Sequence, residues 1–286
     1  MEAWLIISNA QTFGLANSMR LLTNDVKIDH VDVWTLRASL DHFVQTIPTY
    51  DRIVIHPQIE HGYYDFSSVE KLSRIPSIQF DAYHPDICFV GARGQLINGP
   101  MGAYHSMIAL AAFRAGLSAE RTRALFRRDI FERSGFFSRW ESERKQLLES
   151  FAAHGLDISE SFRAWSRRES FMYGIDHSKA RPIRDIARVF LRQCGIETNQ
   201  TDIVPADVIM AGCCFPVYPE VAEVLGVEGS YMFKPHQDYR LISLEKFIEQ
   251  SFALYGKYSP EEILPGPLFT ERYDRVRSIV AEENLQ

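Results

Sequence analysis

The first 57 residues constrain the fold more than any other stretch, because strand-like and helix-like runs alternate through them. Trp4-Leu5-Ile6-Ile7 is a short continuous apolar run, followed by Ser8-Asn9-Ala10-Gln11 and then by Phe13, Leu15, Ala16, Met19, Leu21 and Leu22 at helical spacing. Val26 to Val33 alternates as a second strand, Leu36 to Ile47 suits a helix, and Arg52-Ile53-Val54-Ile55-His56 reads as a third strand stopped by Pro57. Alternation of this kind makes a parallel sheet with helices on its faces. Ligands of open α/β sheets gather outside the carboxyl ends of the strands, where Ser8 to Gln11 and His56 to Gln58 emerge. Neither GxGxxG nor GxxxxGK[ST] follows the first strand, so a dinucleotide fingerprint and a P-loop are both unsupported.

Phe80 to Gly116 holds the densest set of reactive side chains. The ring of Pro85 pushes His84 out of the helical region and removes a backbone donor, so Tyr83-His84-Pro85-Asp86 is loop. Ile87 to Val90 is strand-like, Gly91 to Gly102 is a connection punctuated by Gly and Pro, and Tyr104 to Ala115 runs at helical spacing up to Gly116. His105 and Ser106 therefore open a helix, where free N–H groups and the positive end of the dipole favour an anion.

Beyond Tyr104 the pattern is helical. Ser118 caps a helix over Ala119 to Phe131, Phe137 to His154 makes a longer one ended by Gly155, and Arg163 to Phe171 makes another. Pro182 stands in the first turn of a helix reaching Cys194 and Gly195. Residues 200 to 240 are rich in Pro, Gly and aromatics without a stable period; Leu244 to Tyr255 suits an amphipathic helix, and Gly266 to Gln286 a tail with one more helical stretch. The expected fold is α/β. A parallel-sheet part over residues 1–103 meets a mainly helical part over 104–286 that supplies the other wall of a cleft, in one continuous globular unit.

With 46% hydrophobic and 24% charged residues in a chain of 286, a soluble protein with a substantial core is expected. Cys88, Cys194, Cys213 and Cys214 show neither CxxC spacing nor a nearby histidine rhythm, so no metal site and no disulfide framework are expected. No stretch approaches the length of a membrane span, and Met1-Glu2-Ala3-Trp4 leads straight into a strand; the expected location is cytoplasmic. The net charge of -6 hides an asymmetry: residues 114 to 192 hold 17 Lys and Arg against 11 Asp and Glu. Such a middle can bind a polyanionic small molecule, although solvated helix faces make the same pattern. The overall acidity and the lack of a recognisable module argue against nucleic acid.

Four places carry polar groups at the ends of apolar elements: Ser8 to Gln11, Tyr83 to Asp86, Tyr104 to Ser106, and Tyr173-Gly174-Ile175-Asp176-His177-Ser178-Lys179. Moving an acyl group to a hydroxyl needs a base for the hydroxyl proton, donors for the oxyanion and a grip on the acyl carrier. Neutral His serves the first task, backbone N–H groups with Asn or Gln amides the second, and Arg or Lys the third. No GxSxG elbow is present, and Ser8 and Ser106 are the remaining hydroxyl candidates, each with capping or hydrogen bonding as its commoner role.

These four places, taken in order over about residues 3 to 195, resemble the polysaccharide biosynthesis proteins typified by WcbI. That resemblance implies an acetyltransferase of capsular polysaccharide that binds coenzyme A. The family's first turn usually reads Gly-Asn-Cys-Gln, similar in placement to the nucleophile turn of SGNH-type esterases, whereas here Ser8 replaces the glycine and Ala10 the cysteine. Covalent catalysis through that position is excluded for this chain, while Asn9 and Gln11 are retained.

The resemblance therefore implies an acyl-CoA-dependent O-acetyltransferase acting on a carbohydrate hydroxyl by direct transfer. Acetyl-CoA would be the co-substrate and no metal would take part. The candidate bases are His84, His105 and His177, with Asp86 or Asp176 orienting the imidazole. Ser8, Asn9, Gln11, Tyr104, Ser106, Lys179 and Arg181 are the candidate contacts to the thioester, pantetheine or phosphates. Two other readings remain: an SGNH-like carbohydrate esterase using Ser8 or Ser106 with His177, and a relative that has kept coenzyme A binding and lost catalysis, for which Ala10 is the pointer.

Overall fold

The structure is a computed structural model describing residues 1–60, 62, 64–166 and 169–285. In chain order its elements begin with β1 (Glu2–Ser8), α1 (Thr12–Leu22), β2 (Val26–Asp32), α2 (Val33–Ala38), α3 (Leu40–Thr46), β3 (Arg52–Ile55) and β4 (Leu72–Arg74). Short strands follow: β5 (Ile87–Cys88), β6 (Val90–Ala92), β7 (Gln95–Leu96) and β8 (His105–Ser106). Next come α4 (Met107–Arg114), α5 (Ala119–Arg123), α6 (Arg128–Arg133), α7 (Trp140–Ala152), α8 (Ser159–Trp165) and α9 (Ala180–Gln193). Last are α10 (Pro219–Leu225), α11 (Leu244–Tyr255), β9 (Ile263–Pro265) and α12 (Thr270–Asn284). The fold is α/β, with a parallel-sheet N-terminal region and a largely helical C-terminal one. Contacts divide it into two units, neither continuous in sequence. One is Met1–Gln79, Arg144–Arg167 and Asp176–Ile209; the other is Phe80–Glu143, Arg168–Ile175 and Met210–Gln286.

The first unit is built on a four-stranded sheet in the order β2-β1-β3-β4, parallel throughout. β1 is central and buries both faces, which is why Trp4-Leu5-Ile6-Ile7 is apolar at every position. Leu5 and Ile7 join Val31, Leu36, Ile53, Ile55 and Phe66 in a cluster on one face. On the other, Trp4 meets Phe190 of α9 edge-on with 6.0 Å between centroids.

Helices α1 and α9 lie side by side. A Cβ on Gly14 would come within 3.3 Å of Ile183, and Asn199, just past α9, donates its backbone N–H to the Leu22 carbonyl at 2.6 Å. The two helices thus run in the same direction, and both N-termini stand at the carboxyl end of the sheet. β2 and β3 lie on opposite sides of β1, making that end the switch point where α/β folds place ligands.

The expected helix over Leu36 to Ile47 is interrupted, because Ser39 (φ −129°, ψ 37°) leaves helical space between α2 and α3. Of the expected helix over Arg163 to Phe171, only Arg163 to Trp165 is helical, as the end of α8 (Ser159–Trp165), and Glu169 to Phe171 is not; residues 167 and 168 lie outside the described residues.

In the second unit, the strand-like run Ile87 to Val90 divides at Phe89. β5 pairs antiparallel with β8, and β6 pairs antiparallel with β7 and β9, so this run stands outside the parallel sheet. β6 and β7 form a hairpin whose two loop residues, Arg93 (φ 52°) and Gly94 (φ 77°), both have the left-handed backbone of a type I′ turn. The helix expected from Tyr104 starts at Met107, because the Ser106 hydroxyl accepts the Ala109 N–H at 3.0 Å and caps it. Ala119 to Phe131 is two helices, α5 and α6, separated by the extended Arg127.

Residues 210 to 240 gain their order from ring packing rather than period. Phe233 stacks on Phe247 at 4.3 Å, Phe215 meets both edge-on, and Tyr218 lies over Phe131 at 5.6 Å. Lys234 Nζ donates to the carbonyls of Ala211, Gly212 and Pro235. Much of the positive middle is met within this unit by acidic residues from later in the chain: Arg127 and Arg133 pair with Glu283, Arg133 also with Glu282, Arg128 with Glu223 and Arg123 with Glu245.

Candidate functional site

Seven of the twelve residues singled out from the sequence stand in the first unit, at the carboxyl end of its sheet or the start of α9. β1 ends at Ser8, and Asn9 holds the turn. Its Oδ1 accepts the Gln11 N–H at 3.2 Å, and its carbonyl accepts from Thr12 N at 3.0 Å and Thr12 Oγ1 at 2.6 Å. Gln11 is buried, with Nε2 donating to Pro76 O at 3.4 Å and Ser8 Oγ at 3.5 Å, so its amide fixes the turn against the loop after β4. Ser8 is buried, Asn9 half-buried and Ala10 exposed.

At the same end, Lys179 is the extended residue before α9, the Ala180 N–H donates to Asp207 Oδ2 at 2.8 Å, and Arg181 is exposed on the first turn. Just ahead of the helix, Asp176 Oδ1 lies 3.2 Å from His177 Nδ1, both side chains being about one-third exposed.

The sequence reading placed His56 at a ligand-gathering strand end without giving it a role, and passed over Ser77. His56 Nδ1 accepts the Gln58 N–H at 3.2 Å, which puts the ring proton on Nε2, and Nε2 donates to Ser77 Oγ at 3.0 Å. Burial, and then the charge of His154, lower the His56 pKa. A ring protonated at Nε2 cannot take the Ser77 proton, so the contact is not a nucleophile–base couple. The signal was a histidine followed by proline at the end of the third strand.

The other five, His84, Asp86, Tyr104, His105 and Ser106, belong to the second unit and are all buried there. Asp86 Oδ1 accepts from Ile108 N at 3.0 Å and Oδ2 from Tyr218 Oη at 2.9 Å, while its main-chain carbonyl accepts from Met107 N at 2.8 Å. It caps α4 together with Ser106 rather than orienting an imidazole. Burial pushes its carboxyl up to about 7 against the hydrogen bonds that pull it down.

His105 donates from Nε2 to Ile97 O at 3.0 Å and accepts the Tyr255 hydroxyl at Nδ1 at 2.9 Å, and burial lowers its pKa to about 4. A Cβ on Gly99 would stand 2.9 Å from its ring, so that glycine is needed for the ring to fit. His84 donates from Nδ1 to Pro216 O at 3.2 Å. Tyr104 stacks on Phe89, and its ring needs Gly174 to lack a Cβ.

The Tyr83–Asp86 loop is held by a charged network invisible in the sequence pattern. Arg139 grips the Asp81 carboxylate through Nε and Nη2, both at 2.7 Å, and reaches Glu143 at 2.6 Å. Arg272 donates to Asp81 at 2.6 Å and to the Pro85 carbonyl at 2.7 Å. Burial, with the Asp81 charge adding to it, raises the Glu143 pKa.

A turn, two parallel helix N-termini and an Asp–His pair at one sheet end can bind an anion and move a proton. Among the described residues, no group of three or more His, Cys, Asp or Glu could hold a metal ion, and no helix is long and apolar enough to cross a membrane. The family model for the polysaccharide biosynthesis enzyme WcbI matches residues 3–199. The chain belongs to the WcbI family. The matched span runs from β1 to just past α9 and takes in all four polar places. A solved structure of WcbI itself, described as a polysaccharide biosynthesis enzyme in its native form without a disulfide bond between coenzyme A and one of its cysteines, is similar in fold. The TM-score is 0.68 at 15% identity, over 100% of this chain and 99% of that one. No curated protein matches the chain.

Proposed function

We propose that this WcbI-family protein is an acyl-CoA-dependent O-acetyltransferase, transferring directly to a sugar or polysaccharide hydroxyl at the carboxyl end of the first unit's sheet. The observation that carries this reading is the Asp176–His177 contact at 3.2 Å, just ahead of the start of α9, which lies parallel to α1 in the same unit. The coenzyme A named with the solved WcbI structure supports the choice of acyl carrier.

His177 is the base. With Asp176 on Nδ1, the acceptor's hydroxyl proton goes to Nε2, the oxygen attacks the thioester carbonyl, and the carbon–sulfur bond breaks. The thiolate then leaves with the proton that His177 returns. His105 is unsuited because both ring nitrogens are engaged inside the second unit, and His84 is buried with Nδ1 on a backbone carbonyl. Asn9 and the backbone N–H groups of the turn polarise the carbonyl, and Lys179 and Arg181 hold phosphate. Ala10 supplies no thiol, so no acyl-enzyme forms at that position.

The hydrolase reading lacks a nucleophile: Ser8 is buried beside Gln11, and Ser106 caps α4. The test is thiol release from acetyl-CoA with a panel of mono- and oligosaccharide acceptors. Acceptor-dependent release with acetylated product supports transfer. Acetate release from an acetylated sugar without coenzyme A favours the esterase. A rise in Tm with coenzyme A but no turnover favours a binding protein.

A further inference from the structure

A cavity of about 560 Å³ lies in the first unit, away from the Ser8–Gln11 turn. Arg52 opens β3, whose other end leads to His56, and Gln193 closes α9, whose first turn carries Arg181. At a rise of 1.5 Å per residue, α9 sets Arg181 roughly 20 Å from the Gln193 end of the cavity, while His154 on the cavity wall acts on His56 through space. Arg52, Ser73, Arg74, His154, Phe190 and Gln193 line much of it, and no Asp or Glu is among the described residues that do. The volume is that of an ordinary small-molecule site.

The positive charge is balanced at one of the two lining arginines and not at the other. Arg74 is paired with Glu60. Arg52, by contrast, makes no ion pair among the described residues: Nη1 donates to Ser73 Oγ at 2.7 Å, and the buried Nε finds no acceptor. Glu2, whose charge reaches Arg52 through space, is committed to Lys71 and to the Trp4 indole. The guanidinium carbon also lies 5.0 Å from the centroid of the buried Trp4 ring, a cation–π contact that, with the Ser73 bond, helps to position the side chain. A guanidinium with no ion-pair partner among the described residues, in a concave site without carboxylates, suits a phosphate or carboxylate. Phe190 offers an apolar wall, and Ser73 and Gln193 offer polar groups for hydroxyls.

We propose that this cavity binds a hydroxylated small anion of monosaccharide size, a sugar phosphate or a sugar carboxylate, anchored by Arg52. The site is independent of the transferase reading. The test is titration calorimetry of the full chain with glucose 6-phosphate, glucuronate, inorganic phosphate and neutral glucose, with tryptophan emission as a second readout because Trp4 lies under Arg52. Saturable binding of one sugar anion, at least about 10-fold tighter than glucose and than inorganic phosphate, is expected, and its identity separates the phosphate from the carboxylate source. Arg52→Gln is expected to weaken that binding at least about 10-fold while leaving any coenzyme A-induced Tm shift of the wild type unchanged. If Arg52→Gln does not fold, Arg52→Lys, which keeps charge and loses the fork, must still weaken binding. No binding by the wild type at about 10 mM of any anion, equal affinity for glucose, equal affinity for inorganic phosphate, or unaltered affinity in the folded Arg52 variant overturns the proposal.

Discussion

The hydroxyl of Tyr255 donates to Nδ1 of His105 at 2.9 Å across 150 residues of sequence. That bond requires an imidazole neutral at Nδ1, and burial holds the pKa down at about 4, against 6.5 for an ordinary histidine. Between those values the unfolded chain binds a proton that the folded one refuses, so this group's contribution falls as pH drops from 6.5 towards 4. The full loss is roughly 3 kcal/mol. Urea unfolding of wild type and His105→Phe over that range is expected to show a shallower acid loss in the variant, although the variant is less stable at pH 7.5.

Asp86 acts with the opposite sign. Its carboxyl is raised from 3.8 to about 7, so the folded state holds a proton that the unfolded state releases between those values. Its contribution is complete below pH 3.8 and is lost as pH rises through 7, by roughly 4 kcal/mol. In the wild type the two slopes offset each other between pH 4 and 6.5. Asp86→Asn removes one of them, and its stability is expected to fall more steeply on acidification than the wild type's.

The Asp81–Arg139–Arg272–Glu143 network separates buried from exposed charge. Arg272 is largely enclosed, and its loss leaves Asp81 one partner short and the Pro85 carbonyl without its donor. Arg272→Met is expected to cost about 3–5 kcal/mol by urea unfolding. Arg123→Met removes a pair with Glu245 in which both side chains are half exposed, and is expected to cost under about 1 kcal/mol.

Leu244 to Tyr255 was legible to the residue because Ser243 caps it and its apolar side chains keep one period. β1 was legible because a doubly covered strand has no polar face. Three-residue β4 and two-residue β7 are too short to carry a pattern, and Arg93 adopts a left-handed backbone that a non-glycine side chain rarely announces. At the candidate site, Asn9 and His177 were visible because each abuts the end of an element. The Asp81–Arg272 contact spans 191 residues and His56–Ser77 spans 21, and no local spacing encodes either.

His177→Gln keeps a polar side chain of similar reach and removes the proton acceptor. Turnover with acetyl-CoA and acceptor is expected to fall about 10²- to 10⁴-fold in kcat with a smaller change in KM. His105→Phe, measured at a temperature where it is folded, is expected to stay within about 10-fold of wild type, since that ring is buried with both nitrogens engaged. The reverse order of effects would move the base to the second unit.

The turn itself is open to a chemical test because Ala10 is exposed and its neighbours hold the backbone in place: Asn9 bonds Gln11 and Thr12, and Gln11 bonds Ser8 and Pro76. Ala10→Cys adds one sulfur without disturbing any of those bonds. If the thiol end of coenzyme A comes to this turn, the new cysteine lies within disulfide reach of it. Mild oxidation with coenzyme A is then expected to give a mixed disulfide, read by intact mass and reversed by reductant. Wild type treated alongside controls for Cys194, Cys213 and Cys214, which are all partly exposed. If Lys179 and Arg181 hold the phosphates, pantetheine and 3′-dephospho-coenzyme A, which lack them in whole or in part, should react more slowly at equal concentration. Equal rates for all three thiols would mean that the cysteine is reactive without a bound carrier, and the placement of the thioester at this turn would have to be given up.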